Sequence, residues 1–444
     1  MLTKPSPETW PSAVAAWYAV LLLTLANVVA LIDRQILTLL VEPLRSDFGL
    51  TDTGISLLHG FAFALFYSIM ALPIARLADN QSRRRLISIG IAAWSIMTAL
   101  CGLTKTFGQL FLARVGVGIG EATLVPAANS LIGDSFPPER RSLPLGVFAA
   151  GISAGMGLGL LVGAVAVQFA DGISHISWPL VGVLKPWQIV FLILGIAGLP
   201  LAVLVMTILE PVRQELGADS ATSNPNQSLR ESLSHLANNW RTYGTLFGGY
   251  TCFVVAANGV ATWTPTFYIR SFDLTAPEAG MRMGLVVLLG GIMGALSGGA
   301  VADWLKRRKT PRSQLKILVS CGFAMLIPAA LAPMMSTVTG SLAFLFFTFF
   351  FGAMTVAPTI SALQEATPNR LRAQATAILY LMVNLVGVGI GPFAIAVVTD
   401  YVFHDDLALR YSLSVVAVTF TVIGATLLAL ALKQPHARKA RSSE

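Results

Sequence analysis

Long apolar runs, separated by short polar connections, dominate this chain. A helix needs about 20 mostly apolar residues to cross a lipid bilayer, and twelve runs are close to that length or longer. We place the predicted spans near 14–41, 54–77, 86–104, 107–133, 143–170, 187–209, 242–269, 281–304, 314–335, 340–365, 373–402 and 409–432. The pattern predicts an all-α membrane protein with twelve transmembrane helices.

Two polar motifs occur twice, about half the chain apart, which indicates an internal repeat. After span 2, Ala-Asp is followed by arginines four and five residues later, and the connection after span 8 repeats this pattern: Asp79, Arg83, Arg84, Asp303, Arg307 and Arg308. An acidic residue followed by proline and arginine comes after spans 4 and 10, at Asp134 and Glu365. Two parallel six-span halves are the simplest explanation.

The repeat sets the predicted domain organisation. Residues 1–209 form an N-terminal six-helix bundle, and residues 241–432 form a C-terminal six-helix bundle. Residues 210–240 are polar and rich in Ser, Thr and Asn, which predicts a flexible cytoplasmic linker. Residues 433–444 are a basic C-terminal tail.

Composition and charge support a membrane protein and indicate its orientation. The chain is 55% hydrophobic and 12% charged, whereas soluble domains have about 25% charged residues. Of its 30 Lys and Arg residues, 22 lie on the side that carries both termini, 6 in the opposite connections and 2 within spans. The positive-inside rule then places both termini in the cytoplasm. The net charge of +8 therefore indicates topology rather than nucleic-acid binding, and the short loops favour a bacterial inner membrane.

Residues typical of cofactor sites and hydrolytic enzymes are scarce. Cys101, Cys252 and Cys321 lie in apolar spans at unrelated spacings, which predicts neither a disulfide framework nor a metal site. The five histidines form no HExxH motif, and the absence of a Gly-Lys dipeptide excludes a Walker-type nucleotide loop. We expect no enzyme activity and no cofactor.

Four ionisable residues lie inside predicted spans, where a central charge costs about 2.5–3.5 kcal/mol on insertion scales. Asp33 and Arg34 lie in span 1, and Arg114 and Glu121 lie in span 4. Arg114, Gly118 and Glu121 share one helix face, and Gly118 leaves a notch for another helix. Asp33 and Arg34 are level with Arg114, whereas Glu121 is about 10 Å deeper. If the two spans face one cavity, we expect Asp33 to pair with Arg114.

Two acids and two bases sum to zero, so a proton or a charged substrate would break the balance. A carboxylate beside an arginine stays charged, and it binds a proton when the arginine moves away or the site dries. We predict that Asp33 and Glu121 carry protons. Arg34 and Arg114 are predicted to be their counter-ions, one of which could hold an anionic head group. The alternative is a static ion pair between two helices, but four charges at two depths are more than such a pair needs.

Two further groups of residues are candidates for parts of a transport cycle. We predict that Asp79, Arg83, Arg84, Asp303, Arg307 and Arg308 form a cytoplasmic latch, in which an aspartate caps a helix N-terminus and pairs with a basic residue of the other half. The second half lacks charges at the depth of the span 1 and 4 cluster, and its cavity candidates are Asn258, Trp263, Tyr380 and Asn384. A charged first half facing an apolar second half suits an amphiphilic cargo.

These motifs resemble those of a known family. The repeated Ala-Asp loop and Arg114-x-x-x-Gly118-x-Gly120 resemble the signature motifs of the major facilitator superfamily, although Ala75 and Ser82 stand where glycine is typical. Asp33-Arg34 with Arg114 and Gly120-Glu121-Ala122 resembles the spinster group. The resemblance implies proton-linked movement of lysolipids or sphingoid phosphates, coupling and head-group roles for the four charged residues, and a monomer among membrane lipids.

The residues and the resemblance together favour a proton-coupled secondary transporter of an amphiphilic or anionic lipid-like molecule, working by alternating access. A proton symporter of small organic anions and a multidrug exporter are alternatives of the same class. A non-transporting receptor or a passive scramblase is an alternative of another class, and it would not need titratable groups inside the spans. A membrane enzyme has less support, since no nucleophile-base pairing is visible.

Overall fold

The structure, a computed structural model, describes residues 10–173, 177–178, 182–213, 233–368 and 371–434. Among these residues, twelve segments are long and apolar enough to cross a membrane: Ala13–Leu39, Asp52–Ala71, Arg83–Cys101, Phe107–Ser135, Ser142–Ile173, Pro186–Val205, Trp240–Phe272, Ala276–Arg307, Ser313–Met334, Val338–Ala366, Gln374–Phe403 and Asp406–Lys433. They are called spans 1 to 12 below. The predicted all-α fold with twelve spans is confirmed.

Several spans consist of more than one helical piece. Span 2 comprises Asp52–Ser56, a π-helical turn at Leu57–Phe61 and Ala62–Asn80, and span 4 comprises Phe107–Glu121 and Leu124–Ser135. The other divided spans are span 9 (Ser313–Leu331, Ala332–Met334), span 10 (Val338–Met354, Val356–Ala366), span 11 (Arg372–Met382, Val383–Val388, Gly389–Val397, Val398–Phe403) and span 12 (Asp406–Ala408, Leu409–Lys433). Pieces of span 11 at Val383–Val388 and Val398–Phe403 are also π-helical, a form often found at functional sites.

The connections between the spans are short. They contain the helix Val41–Phe48, the 3₁₀ turn Pro138–Arg140 and a hairpin in which Ser177–Trp178 pairs antiparallel with Gly182–Val183. Residues 233–238 are helical, but the predicted linker between 214 and 232 and the tail from 435 onwards lie outside the described residues.

Polar side chains at helix starts explain where several spans begin. Ser12 accepts a hydrogen bond from an amide of the first turn of span 1, and Ser82 does the same for span 3. Thr106 and Thr337, 231 residues apart, cap spans 4 and 10 in the same way. Such side chains satisfy backbone donors that a helix leaves free at its N-terminus.

The described residues fall into two compact units. Unit 1 contains those within Met1–Ala221 and Tyr268–Leu288, and unit 2 contains those within Thr222–Phe267 and Leu289–Glu444. Spans 1 to 6 thus lie in unit 1 together with the end of span 7 and the start of span 8. The core of unit 1 includes the fully buried ring of Trp94. We call the end of unit 1 with the span 1–2 connection the Glu42 end and the opposite end the Arg83 end.

Glycines let helices approach closely in both units. A Cβ atom on Gly155 of span 5 would lie 2.8 Å from the Leu31 side chain of span 1, and one on Gly159 would lie 2.9 Å from Gln35. In unit 2, a Cβ on Gly391 of span 11 would lie 2.5 Å from the carbonyl oxygen of Val255 in span 7. The small residues that the sequence shows in spans 5 and 11 therefore serve close helix packing.

Spans 4 and 10 break at corresponding places for the same chemical reason. The hydroxyl of Thr123 donates to the Gly120 carbonyl at 2.8 Å, and the hydroxyl of Thr355 donates to the Gly352 carbonyl at 2.6 Å. A proline follows each threonine by three residues; it lacks an amide proton and disrupts the preceding turn. When Thr123 is aligned with Thr355, Ala353 stands at the position of Glu121. Spans 4 and 10 therefore share the break in the helix but not the charged residue.

A buried ion network joins the Glu42 end of unit 1 to the last turn of span 7. Arg270 donates to both carboxylate oxygens of Asp52, at 2.7 and 2.8 Å, and to Glu42 at 2.7 Å. Arg45 lies 3.3 Å from Asp52. Because the Asp52 side chain is fully buried, its charge depends on these partners.

Candidate transport site

The four charged residues predicted from the sequence do come together in unit 1, where spans 1, 3 and 4 pack around them. The side chains of Asp33 and Glu121 are both buried, and Arg114 is buried as well. Arg34 keeps 26% of its side chain exposed. Glu121 is the last residue of the first helix of span 4, directly before the kink, and its position therefore depends on that local break.

Arg34 pairs with Glu121. The guanidinium Nε lies 2.7 Å and Nη2 lies 2.6 Å from the same carboxylate oxygen, Oε2. The other oxygen, Oε1, is buried and has no hydrogen-bond partner among the described residues. A long arginine side chain can bridge the depth difference between the two positions. Glu121 therefore has one oxygen that two nitrogens of Arg34 bind and one that accepts no hydrogen bond from the described residues.

Asp33 has a different environment, and its expected pairing with Arg114 takes another form. Thr98 of span 3 donates to Oδ2 of Asp33 at 3.1 Å, while Oδ1 is buried without a partner among the described residues. Arg114 donates to the backbone carbonyl of Asp33 at 3.4 Å. Within the described part of the chain, no ion pair joins Arg114 to the Asp33 carboxylate. The predicted proximity of the two residues is thus present, but the ion pair formed by span 1 uses Arg34.

Aromatic rings cover the face of the Arg34 guanidinium. Its central carbon lies 4.0 Å from the centroid of the Phe63 ring and 5.3 Å from that of Tyr67. The two rings are stacked on each other one helical turn apart, with centroids 5.4 Å apart. A Cβ atom on Gly118 would lie only 3.0 Å from the carbonyl oxygen of Phe63. The predicted notch at Gly118 therefore receives span 2 and brings these rings to the charged cluster.

His59 is a fifth titratable residue near the cluster. It lies in the π-helical turn of span 2, and its Nε2 atom is buried without a partner among the described residues. It lies one helical turn before Phe63 in the same span. Buried polar atoms without a hydrogen-bond partner are unusual, and Asp33, Arg114 and Glu121 each have such an atom as well.

At the Arg83 end, the predicted latch residue Arg83 binds groups of its own unit. Its side chain is 1% exposed, pairs with Asp134 and donates to the Ser130 hydroxyl at 3.1 Å and to the Pro211 carbonyl at 3.0 Å. Arg84 donates to the Ile208 carbonyl at 3.1 Å. These contacts hold the ends of spans 3, 4 and 6 together.

Glu210, which follows span 6, completes this network. Burial raises its pKa, but hydrogen bonds from the Ser82 hydroxyl and the Arg83 amide, together with the Arg83 charge, outweigh that effect, so its pKa is lowered overall. The Arg83 amide lies 2.7 Å from Glu210 Oε1. Ionised Glu210 therefore fastens the start of the linker to the span 2–3 connection.

The other predicted latch residues show fewer contacts. The side chain of Asp79 lies outside the described part of the structure. Asp303 and Arg307 are exposed. Arg308 is exposed as well, and its guanidinium lies 4.0 Å from the ring centroid of Trp304.

The cavity candidates of the second half divide into buried and accessible residues. Trp263 is fully buried, and its indole donates to the Pro392 carbonyl at 2.9 Å; it stabilises the packing of spans 7 and 11. Tyr380 is 49% exposed. The amides of Asn258 and Asn384 donate to carbonyls one turn back in their own helices, at 3.1 and 2.9 Å. Tyr380, in the α-helical piece before the π-helical turn of span 11, and Asn384, within that turn, both keep accessible surface in unit 2.

Residues 23–392 match the sequence pattern of the Major Facilitator Superfamily. The chain belongs to that superfamily of membrane transporters. It is 31% identical over 414 residues to an MFS-type efflux pump of Mycolicibacterium smegmatis, covering 92% of this chain and 91% of that protein. It is 25% identical over 439 residues to the sphingosine-1-phosphate transporter SPNS2 of Mus musculus, covering 93% and 76%.

A solved structure agrees with this assignment. The bacterial homolog of the human lysosomal transporter Spinster, crystallised in an inward-facing and occupied conformation, superposes with a TM-score of 0.77 at 25% identity, covering 95% of this chain and 98% of that one. This member of the Major Facilitator Superfamily is spinster-like, as the motifs around Asp33 and Glu121 predicted.

Sequence reasoning missed several residues at the site. Phe63 and Tyr67 have i, i+4 spacing, which could have marked one aromatic face of span 2. His59 is a lone histidine in an apolar span, which is also a visible signal. Thr98 and Glu210 carry no such signal, because only packing reveals that they bind Asp33 and Arg83.

Proposed function

We propose that this chain is a proton-coupled secondary transporter of an amphiphilic or anionic lipid-like molecule, of the lysophospholipid or sphingoid phosphate class. The observation that carries the proposal is the Arg34–Glu121 pair, in which a buried carboxylate keeps one oxygen without a partner. Protonation of Glu121 would weaken this pair, and Asp33 is the second proton carrier.

Charge arithmetic supports coupling to an anion. Asp33, Arg34, Arg114 and Glu121 have a formal sum of zero. One added proton leaves the cluster with a charge of +1, which a singly charged anion restores to zero. Because uncompensated charge is costly in a low-dielectric site, proton and anion would bind together. A proton and an anion bound to one conformation travel in the same direction.

The remaining assignments complete a transport cycle. We infer that residues 1–209 and 241–432 act as two halves joined by the linker 210–240. The Arg83 end is cytoplasmic, and the protein acts as a monomer in a bacterial inner membrane. The six latch residues, from Asp79 to Arg308, would close the cytoplasmic side, and Tyr380 and Asn384 would contact the apolar part of the cargo. The name of the SPNS2 relative supports a lipid phosphate as cargo.

Export of drugs is the second candidate function, because the relative from Mycolicibacterium smegmatis is an efflux pump. Its cargo would be a lipophilic cation exchanged for protons. A buried carboxylate such as Glu121 serves either function, so the nature of the cargo has to be tested directly.

The test uses purified protein in liposomes that contain a pH-sensitive dye, under an imposed proton gradient. A short-chain lysophospholipid, a small organic acid and ethidium are added separately to wild type, Asp33→Asn and Glu121→Gln. Glu365→Gln is the matched control, since Glu365 is an exposed carboxylate. We expect proton flux dependent on lysophospholipid in wild type and Glu365→Gln, and its loss in the other two variants.

Each alternative predicts another result. Flux retained in both Asp33→Asn and Glu121→Gln would refute coupling at this cluster. Proton flux with the organic acid alone would support a transporter but refute a lipid-like cargo. Proton flux with ethidium alone would favour drug export. A receptor or scramblase would show no cargo-dependent proton flux in any variant.

A further inference from the structure

Arg34 binds Glu121 through one edge of its guanidinium and rests on aromatic rings through its face. Nε and Nη2, the two donors of that edge, both point at Glu121. The same pair of parallel donors fits two oxygens of a phosphate or carboxylate. Glu121 and an anionic substrate would therefore compete for one edge of Arg34.

We propose that Phe63 and Tyr67 are positioning residues that hold the Arg34 guanidinium at the site after Glu121 releases it, so that its freed edge binds the phosphate or carboxylate of the cargo. This inference rests on the function proposed above. It adds to that function a reason why a flexible arginine stays in place when its ionic partner becomes neutral.

The contact with the rings does not depend on protonation of the carboxylate. Phe63 has no titratable group, and the centroid of its ring lies 4.0 Å from the guanidinium carbon. A guanidinium is attracted to the face of an aromatic ring, and the attraction is stronger where water is excluded. Without the ring contacts, a released arginine would regain much of the rotamer freedom that ordering takes away, and binding of the anion would have to restore the order.

The packing around Phe63 fixes the ring relative to Glu121. Phe63 is 2% exposed, and its backbone lies against Gly118 of span 4. Gly118 is three residues before Glu121 on the same helix. The ring and the carboxylate are therefore held by one turn of span 4, while Arg34 reaches both from span 1. This arrangement defines one position for the guanidinium with two exchangeable anionic partners.

The test compares two ligands with the same acyl chain, lysophosphatidate and monoacylglycerol, only one of which has a phosphate. Dissociation constants are measured on purified protein in detergent for wild type, Phe63→Leu, Phe63→Tyr and Phe191→Leu. Phe191 is a matched control, because its ring is fully buried in unit 1 against Trp187 rather than against Arg34. The readout is the ratio of the two constants, which a general loss of packing would not change.

We expect Phe63→Leu to reduce the preference for the phosphate about tenfold, which corresponds to about 1.4 kcal/mol. Phe63→Tyr and Phe191→Leu should keep the wild-type preference. The ring of Tyr67 is half-buried and more distant from Arg34, so Tyr67→Leu should reduce the preference for the phosphate about threefold. If Phe63→Leu does not fold, Tyr67→Leu serves as the test. Glu121→Gln should increase the preference, since the edge of Arg34 is then permanently available.

Two outcomes would overturn the inference. A preference unchanged in Phe63→Leu and Tyr67→Leu would show that the rings do not position Arg34, while proton flux in liposomes could still support the transporter. Equal binding of both ligands by wild type would show that Arg34 does not select an anion. Failure of the proposed function is distinguishable, because it would appear as absent cargo-dependent proton flux regardless of the binding ratio.

Discussion

Removing Arg270 should strongly destabilise the protein. Arg270 binds Asp52 through two guanidinium nitrogens and also pairs with Glu42. Arg270→Met removes this cation from Asp52, whose side chain is fully buried and loses two hydrogen bonds of 2.7 and 2.8 Å. Removing one partner of a buried ion pair costs about 3–5 kcal/mol, and we expect Arg270→Met to fall in that range.

A double-mutant cycle gives the sharper test. Asp52→Asn alone leaves Arg270 without its doubly hydrogen-bonded carboxylate, whereas Arg270→Met combined with Asp52→Asn removes both members of the ion pair. The double variant should therefore be more stable than the sum of the single effects predicts, by at least about 2 kcal/mol. The free energy of unfolding is measured by SDS titration in mixed micelles, followed by fluorescence of the eight tryptophans.

The control is Arg282→Met, which removes an exposed arginine of the same unit and should change stability by less than about 0.5 kcal/mol. Effects of Arg270→Met and Asp52→Asn that add within about 0.5 kcal/mol would refute the reasoning. So would an Arg270→Met variant as stable as the Arg282→Met control.

Two further predictions concern packing and acid stability. A Cβ atom on Gly90 would lie 1.8 Å from the hydroxyl of Thr123. Gly90→Ala should therefore lower the free energy of unfolding by about 1–3 kcal/mol. The control is Gly133→Ala, whose Cβ would meet no atom within 4 Å, and it should leave the unfolding free energy in the same SDS titration unchanged. The lowered pKa of Glu210 means that its stabilising contribution is present above its ordinary value near 4.5 and is lost as the pH falls below it. Glu210→Gln should therefore reduce the loss of unfolding free energy between pH 6 and pH 3, and an unchanged loss would contradict the assignment.

The cluster of charged residues in spans 1 and 4 shows which features of a site a sequence pattern can predict. Hydropathy located the spans, and the spacing of Arg114, Gly118 and Glu121 placed three candidate positions on one face of span 4. The notch at Gly118 was also visible, because glycine is the residue that permits close helix approach. None of these patterns states which neighbouring helix fills the notch, and the structure assigns it to span 2 through Phe63.

The sequence could not show which arginine pairs with which carboxylate. Depth along a span follows from 1.5 Å of rise per residue, and by depth Asp33 and Arg114 belong together. Arginine, however, can place its guanidinium several ångströms from its Cα, and Arg34 uses that reach to bind Glu121. Trp263 illustrates the same limit, since an aromatic residue in a span has the same composition signal whether it lines a cavity or packs against the Pro392 carbonyl.

The sequence by itself determined the class of this protein: the apolar runs set the number of spans, the repeated Asp and Arg motifs indicated the superfamily, and the intramembrane charges marked a candidate site. These features depend on the spacing of residues along the chain, which the sequence shows directly. Only the tertiary structure decided that Arg34 pairs with Glu121, that Phe63 and Tyr67 cover the guanidinium, and that Arg83 binds Asp134 and Glu210. Those contacts join residues 29 to 127 positions apart, and their formation depends on how helices pack side by side, which no local pattern records.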